Sequence, residues 1–170
     1  MRARKKEAAV SARIISGIAI ALALSSATHA QVISHRDICA HLATAMVAAA
    51  VAKCEQSGNG LTVAVVDRQG QLRALLVADT AAPHHVELAE RKAYTALTAR
   101  RSSAEWARAT EPGSRIAGQR NMAKVIPLAG GVPVKVGEET IGAVGVSGSS
   151  TEPDEVCATA AIAGVADQLK

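Results

Sequence analysis

Aromatic side chains are almost absent from this sequence. Among its 170 residues there is no Phe, and the only Tyr and Trp are Tyr94 and Trp106. Because proteins that bind single-stranded nucleic acid stack bases on aromatic rings, this scarcity argues against that function. Because there is no Phe, the hydrophobic core must be aliphatic. The many alanines of the predicted helices allow helices and sheet to approach closely.

Cysteine is also scarce, with three residues, Cys39, Cys54 and Cys157. No C-x-x-C occurs, which argues against a zinc knuckle, a c-type haem attachment or a thioredoxin-like site. Cys39 and Cys54 fall on one predicted helix, where a rise of ~1.5 Å per residue separates them by about 22 Å, too far for a disulfide. The sequence leaves open whether Cys157 forms a disulfide or whether the cysteines are buried small hydrophobic residues.

Long apolar runs are missing except in the first thirty residues. There a basic head precedes the uncharged apolar segment Ile14–Leu24, and small residues follow as far as Ala30. This order is typical of a secretory signal peptide, and the apolar segment is too short for a membrane anchor. We expect cleavage after Ala30, or after Ala27, to leave residues 31–170 as a periplasmic or secreted domain without a membrane span. The alternative is an uncleaved N-terminal anchor.

The predicted mature domain has no excess of either positive or negative charge. The whole chain has 19 Lys and Arg against 15 Asp and Glu, but residues 1–30 contain five of the basic residues and one of the acidic ones. Residues 31–170 therefore keep 14 of each and are formally neutral. The basic excess belongs to the export signal, so it does not indicate a nucleic-acid partner.

The hydrophobic pattern predicts both helices and strands. The predicted long helices are His35–Gln56, Ala82–Arg100 and Glu152–Leu169, with a short helix capped at Ser102 between the last two. The predicted strands are Leu61–Val66, Leu72–Val77, Val125–Leu128, Val132–Val136 and Thr140–Val146. The order αββα(α)βββα lacks strand–helix–strand alternation, which argues against a doubly wound parallel sheet. We expect one α+β domain with a five-stranded, mainly antiparallel sheet and helices packed against it.

Glycine is concentrated in the run Ala129–Ser150, AGGVPVKVGEETIGAVGVSGSS. Glycine is unusual inside strands, because it packs nothing and adds backbone entropy. Its density here indicates that a neighbouring subunit or a ligand approaches the backbone closely, or that the sheet bends sharply.

Four segments carry a family resemblance. They are LTVAVVDRQGQL at Leu61–Leu72, AERKAYTAL at Ala89–Leu97, GGVPV at Gly130–Val134 and IGAVGVSGSSTEPDE at Ile141–Glu155. In this order and spacing, the chain from Arg36 to Leu169 resembles the GlcG/HbpS family of haem-binding proteins, which also forms the C-terminal domain of PduO.

The resemblance implies a profilin-like α+β fold, homo-oligomers that are often octamers, and haem or haem-iron binding in some members. The chain departs from the family pattern in two loops. Asp79-Thr80-Ala81-Ala82 stands where the family commonly has Asp-Gly-Ala-Pro, and Ser149 replaces a second glycine after Val-Ser-Gly.

Histidines are the candidate iron ligands, since neutral imidazole is a common donor to haem iron. His84 and His85 stand near the start of the second predicted helix, but adjacent helical residues diverge by about 100°, so we expect one of them to ligate rather than both. His41, on the first predicted helix, resembles first-helix histidines of some relatives. His41 and His85 are therefore the metal candidates, and solvent-exposed polar histidines are the alternative.

Three more residues are candidate contacts to a cofactor. Lys92, within AERKAYTAL, is predicted to meet a haem propionate or another carboxylate, or else to form a surface or subunit salt bridge. Ser147 and Gly148 precede the last predicted helix and could offer backbone N–H groups to an anion. The alternative for this loop is a tight strand-to-helix connection.

No nucleophile, base and orienting group stand out together, so the sequence favours a protein that is not a self-sufficient enzyme. The leading hypothesis is an exported, oligomeric haem-binding protein for sensing, storage or transport, working with a sensor or membrane partner. The second is an enzyme of haem degradation or 2-hydroxy-acid metabolism. The third is a ligand-free accessory subunit whose glycine-rich sheet packs against copies of itself.

Overall fold

The computed structural model describes residues 33–54, 60–149 and 151–170. The predicted signal peptide, residues 1–30, and its cleavage site lie outside the described residues. Residues 36–170 form one compact unit. Within the described ranges, no helix has both the length and the apolar character needed to cross a membrane.

Four α-helices and four strands make up the described part of the chain. The helices are α1 (Ala40–Cys54), α2 (His84–Ala99), α3 (Ser103–Ala109) and α4 (Thr151–Ala163). The strands are β1 (Thr62–Asp67), β2 (Leu72–Val77), β3 (Gly131–Val136) and β4 (Glu139–Ser147). Short 3-10 helices occupy Ala117–Asn121 and Ala166–Gln168.

The strands form one antiparallel sheet in the order β2-β1-β4-β3. This confirms the predicted α+β class and the antiparallel pairing, but the sheet has four strands rather than five. Because β1 and β4 are the central strands, nearly all of their residues are buried. The two edges are β2 and β3.

The predicted strand at Val125–Leu128 is wrong, because this segment forms hydrogen bonds with side chains of α2 instead of with a strand. Its first carbonyl accepts from Arg91 Nη2 at 2.6 Å, and the N–H of Ile126 donates to Thr95 Oγ1 at 2.9 Å. Pro127 has no N–H to give to a ladder. An apolar run of four residues therefore looked like a strand while its polar backbone groups were already used by a helix.

Helices cover both faces of the sheet. Successive residues of a strand point to opposite faces, so Ala143 and Val144 mark the two sides of β4. Val144 lies in the main core with residues of α1 and α4, and we call this side the α1–α4 face. Ala143 packs with Ala93 and Leu97 of α2, and we call that side the α2 face.

Close approach of α2 explains two of the glycines of the sheet. A Cβ atom on Gly145 would lie 2.0 Å from the carbonyl oxygen of Ala89, and one on Gly131 would lie 2.0 Å from that of Lys92. The backbone that comes close is therefore a helix of the same chain. The prediction that this glycine-rich sheet packs against another copy is wrong for these positions, since α2 already covers them.

A disulfide joins the two helices of the α1–α4 face. Cys54 of α1 and Cys157 of α4 are bonded across 103 positions of sequence. Cys39 is exposed and has no disulfide partner. The pairing that the sequence left open is thus resolved, and two of the three cysteines are more than buried small hydrophobic residues.

Helix boundaries follow the prediction closely for α2 and less closely for α1 and for α4, which ends at Ala163 rather than at Leu169. The first helix begins at Ala40 rather than at His35, because the preceding segment is tied to the β1–β2 turn. There Asp37 Oδ1 accepts from the N–H groups of Ile38 at 2.8 Å and Arg68 at 2.9 Å. The predicted capping box of α3 is confirmed, with Ser102 and Glu105 each bonding the other's backbone N–H.

The β1–β2 turn is held by a buried carboxylate. Asp67 accepts from the backbone N–H groups of Gln69 and Gln71, both at 2.9 Å, and from Arg73 Nε at 2.7 Å. Burial by itself raises the pKa of Asp67, but these hydrogen bonds and the charge of Arg73 outweigh it, so the pKa is lowered overall. Gly70 completes the turn with φ +76°.

Candidate functional site

Polar side chains gather where β4 ends, on the α2 face. Ser147 is the last residue of β4, and the chain then passes through a short loop into α4. His85 and Lys92 reach this place from α2, two turns apart, and Asp154 reaches it from the first turn of α4. We call these four residues the β4-end cluster.

His85 is held by Ser147. The Nδ1 atom of His85 lies 2.8 Å from Ser147 Oγ, and the serine is almost fully buried. Burial lowers the pKa of His85, as do the nearby charges of His84 and Lys92, while Asp154 opposes them. The imidazole is therefore neutral near pH 7. With Nδ1 engaged, Nε2 is the nitrogen that this geometry offers to a ligand.

Lys92 and Asp154 form a buried ion pair. Nζ of Lys92 lies 2.7 Å from Asp154 Oδ2, and each side chain is no more than 3% exposed. The ammonium also donates to the carbonyl oxygen of Val146 at 3.0 Å. Asp154 Oδ1 in turn accepts from the backbone N–H of Ser149 at 3.1 Å and from its hydroxyl at 2.8 Å. The predicted surface or subunit salt bridge of Lys92 is wrong, because its charge is balanced inside the chain.

Gly130 allows the ion pair to form. It lies at φ +120°, a conformation that favours glycine. A Cβ atom there would stand 2.9 Å from Asp154 Cβ and 3.0 Å from Lys92 Cδ. Three of the four segments that carry the family resemblance therefore meet at this point, which ties the sequence pattern to one packing arrangement.

Thr62 adds an unsatisfied polar group beside the cluster. It lies directly opposite Ser147 in the β1–β4 pairing and is fully buried. Its hydroxyl has no hydrogen-bond partner among the described residues. Since buried hydroxyls normally have a hydrogen-bond partner, a ligand or water that reached Thr62 could both accept from and donate to its hydroxyl.

The remaining predicted site residues lie outside the cluster. His84 is exposed, with its ring centre 4.4 Å from that of His85. His41 is exposed on α1, which packs on the opposite face of the sheet from α2, so the structure does not bring His41 and His85 together. Gly148 packs tightly, since a Cβ there would lie 2.4 Å from the carbonyl oxygen of Gly60. In the described ranges, no three His, Cys, Asp or Glu side chains converge as a metal site.

Sequence reasoning missed Asp154, Thr62 and the role of Gly130. Asp154 stands in the segment IGAVGVSGSSTEPDE, and two observations could have pointed to it: a carboxylate in the first turn of α4, and a lysine in another shared segment. Thr62 offered no such signal, because a threonine in a central strand is ordinary. Its lack of a partner is visible only when neighbouring strands are placed beside it.

Comparison with known proteins gives one consistent result. The family model described as "Haem degrading protein HbpS-like" matches residues 38–163. Protein GlcG of Escherichia coli K12 is 34% identical over 106 residues, which cover 62% of this chain and 78% of GlcG.

Two solved structures share both fold and sequence similarity with this chain. A double mutant of Streptomyces reticuli HbpS superposes with a TM-score of 0.75 at 30% identity, covering 81% of this chain and 93% of that one. A crystal structure of a PduOC–haem complex superposes with a TM-score of 0.69 at 29% identity, covering 73% of this chain and 91% of that one.

Proposed function

Because this chain belongs to the HbpS-like family, we propose that it is an exported haem-binding protein that assembles with copies of itself. The observation that carries the proposal is the likeness, in both sequence and fold, to a PduOC protein solved with haem. A profilin-like arrangement of helices and sheet, an octamer, and a sensor or membrane partner remain predictions from the resemblance. Sensing, storage and transport are the uses that haem binding without turnover would serve.

We propose that His85 would supply the imidazole that holds the haem iron. Its lowered pKa keeps the imidazole neutral, which is the form that binds iron, and Ser147 orients the ring through Nδ1. Lys92 does not reach a propionate in this proposal but fixes the backbone at Val146, next to Ser147. Gly148 follows Ser147 in the same tightly packed loop. His84 and His41, both exposed, are the remaining candidate ligands.

The disulfide supports export. Disulfides such as Cys54–Cys157 persist in the periplasm and outside the cell and are rare in the reducing cytosol. Together with the predicted signal peptide, this favours a periplasmic or secreted protein. Mass measurement of the protein recovered from the periplasm would test both points, since cleavage after Ala30 and an intact disulfide each give a defined mass.

The test of haem binding is a hemin titration of residues 31–170, followed by the Soret band. We expect a saturable shift, a weakened and altered band in His85→Ala, and recovery on adding imidazole. His41→Ala is the matched control, because it removes an exposed imidazole on the other side of the sheet. An unchanged Soret band with folded protein would overturn the proposal, and an effect of His41→Ala alone would move the ligand to α1.

Haem degradation is the second candidate, favoured by the description of the matching family. If the chain degrades haem, bound hemin supplied with oxygen and a reductant will lose its Soret band while a linear tetrapyrrole product appears. A stable Soret band under the same conditions would leave binding as the function. Light scattering of the same sample tests assembly, since a monomer would contradict the proposed homo-oligomer.

A further inference from the structure

A groove of about 600 Å³ opens between α2 and the β1–β2 hairpin. Val66 and Leu72 line it from the sheet, and Arg91, Tyr94 and Lys124 line it from the side of the helix. None of the β4-end cluster residues takes part in its lining. A volume of this size is usual for small-molecule sites, which combine an apolar floor with a few fixed polar groups.

Arg91 presents a fixed cation to this groove. Its Nη1 atom lies 3.0 Å from Glu87 Oε1, and its Nη2 atom donates to the carbonyl oxygen of Val125 at 2.6 Å. Its Nε–H is buried and has no partner among the described residues. These two contacts hold the guanidinium in one plane, which suits the recognition of a planar carboxylate, although Glu87 already balances part of its charge.

Lys124 brings a second cation to the groove through an unusual backbone conformation. Its φ is +66°, in the left-handed region that side chains other than glycine rarely adopt. Residues held in such conformations concentrate at functional sites. The ammonium of Lys124 lies 5.6 Å from the centre of the Tyr94 ring, so the cation and the ring face the same space.

Tyr94 forms one wall of the groove. Gly70 approaches it so closely that a Cβ atom would lie 2.9 Å from the ring. Leu72, on the floor, is 44% exposed, which leaves apolar surface for a ligand to cover. The groove therefore combines one aromatic wall and an apolar floor with two cations and the carboxylates of Glu87 and Glu90.

We propose that this groove binds a carboxylate attached to a flat apolar ring. The ring would lie against Tyr94 and Leu72, and the carboxylate would meet Arg91 and Lys124. Glu87, paired with Arg91, and Glu90 also line the groove, so the fit is best for a ligand whose negative charge is confined to the end that meets Arg91 and Lys124. The ligand could be the propionate edge of a tetrapyrrole, which rests on the proposed haem function, or a free aryl carboxylate, which does not.

The test uses metal-free protoporphyrin IX, because without iron it cannot be ligated by His85. Binding is followed by porphyrin fluorescence with the wild-type protein, with Lys124→Asn and with Lys170→Asn. Asn tolerates the left-handed conformation, so Lys124→Asn removes the charge while keeping the backbone. Lys170→Asn is the control, since it removes a lysine at the C-terminus, outside the groove. We expect about three- to fivefold weaker binding for Lys124→Asn alone, as is usual for a partly exposed ion pair.

Two further ligands distinguish the sources of the carboxylate. Protoporphyrin dimethyl ester should bind the wild-type protein as weakly as protoporphyrin binds Lys124→Asn. If 2-naphthoate displaces protoporphyrin, the site accepts free aryl carboxylates, and if it does not, the site requires the tetrapyrrole. Equal affinity of the acid and the ester, or of wild type and Lys124→Asn, would overturn the proposal. Loss of hemin binding in His85→Ala with protoporphyrin binding retained would separate the two sites.

Discussion

The two faces of the sheet are packed with different kinds of side chain. On the α1–α4 face, large aliphatic side chains such as Met46, Val63 and Val144 fill a continuous core, and the Cys54–Cys157 disulfide joins its two helices. On the α2 face, alanine and glycine bring a helix against the sheet at backbone distance. That second face also carries the β4-end cluster and the hydroxyl of Thr62, which has no hydrogen-bond partner in the described part of the chain.

The difference shows how one sheet can serve two purposes. Buried aliphatic volume stabilises the fold without directing any polar group. Small residues contribute less volume, but they let side chains from α2, α4 and the strand ends meet within hydrogen-bonding distance. Both the proposed ligand His85 and the proposed carboxylate groove belong to α2. Substitutions on the two faces should therefore have different effects on the protein.

The largest expected effect comes from breaking the buried ion pair. Asp154→Ala leaves the ammonium of Lys92 buried without its partner, and we expect the free energy of unfolding to fall by about 3–5 kcal/mol. Urea unfolding followed by circular dichroism measures this. Asp79→Ala, at an exposed loop carboxylate, is the matched control. The double variant Lys92→Met with Asp154→Leu should recover most of the loss, whereas equal losses in Asp154→Ala and Asp79→Ala would contradict a buried pair.

The disulfide of the α1–α4 face comes next. Replacing Cys54 and Cys157 together by alanine should lower the free energy of unfolding by about 2–4 kcal/mol, because the long intervening loop is no longer constrained in the unfolded chain. Cys39→Ala, which removes an exposed free thiol, should stay within about 0.5 kcal/mol of wild type. A comparable loss in Cys39→Ala would show that the pairing is different in solution.

Overpacking the α2 face should have a smaller effect. Gly145→Ala places a methyl group against the backbone of α2, and we expect a loss of about 1–3 kcal/mol as the helix is pushed outward. Gly118→Ala is the control, since a Cβ there meets no atom within 4 Å. Thermal unfolding distinguishes them. If Gly145→Ala also weakened hemin binding, while Gly118→Ala did not, α2 would be implicated in holding the ligand.

The smallest expected effect is a pH dependence from His85. Its pKa in the folded protein lies below the ordinary value of 6.5. As the pH falls, the unfolded chain therefore takes up this proton first, so the contribution of His85 is complete above about pH 6.5 and is lost as the pH falls through the folded pKa.

The difference in urea midpoint between about pH 7.5 and about pH 5 measures this contribution. It should be larger for wild type than for His85→Gln, which keeps a hydrogen-bonding side chain beside Ser147 but does not titrate. A His84→Gln variant serves as the comparison and should keep most of the dependence, since burial is the largest cause of the lowered pKa of His85 and the charge of His84 is a smaller one. Identical pH dependence in all three proteins would mean that the imidazole of His85 is not desolvated.

Local patterns predicted four of the strands and the helices well, apart from the start of α1 and the end of α4, because period and capping are properties of neighbouring residues. The capping box at Ser102 and the turn at Gly70 followed directly from residue type. Val125–Leu128 was assigned wrongly because a short apolar run carries no information about its hydrogen-bond partners. Those partners, Arg91 and Thr95, lie more than thirty positions away.

For the candidate site, the sequence identified residue types but not which residues lie next to one another in space. It pointed to His85, Lys92 and Ser147, yet nothing local to Lys92 distinguishes a surface lysine from one bonded to Asp154, 62 positions further on. The pairing of the cysteines could not be predicted for the same reason. Similar limits apply to Thr62, whose missing partner depends on what the adjacent strands and α2 place around it.

The amino-acid sequence by itself determined the α+β class, the turns and the aliphatic character of the core, since these depend on composition and on contacts within a few residues. Only the tertiary structure decided that α2 packs against Gly131 and Gly145, that Lys92 is neutralised by Asp154 and that Cys54 bonds Cys157. Each of these joins residues far apart in the chain, and their distances depend on how the helices cover the two faces of the sheet.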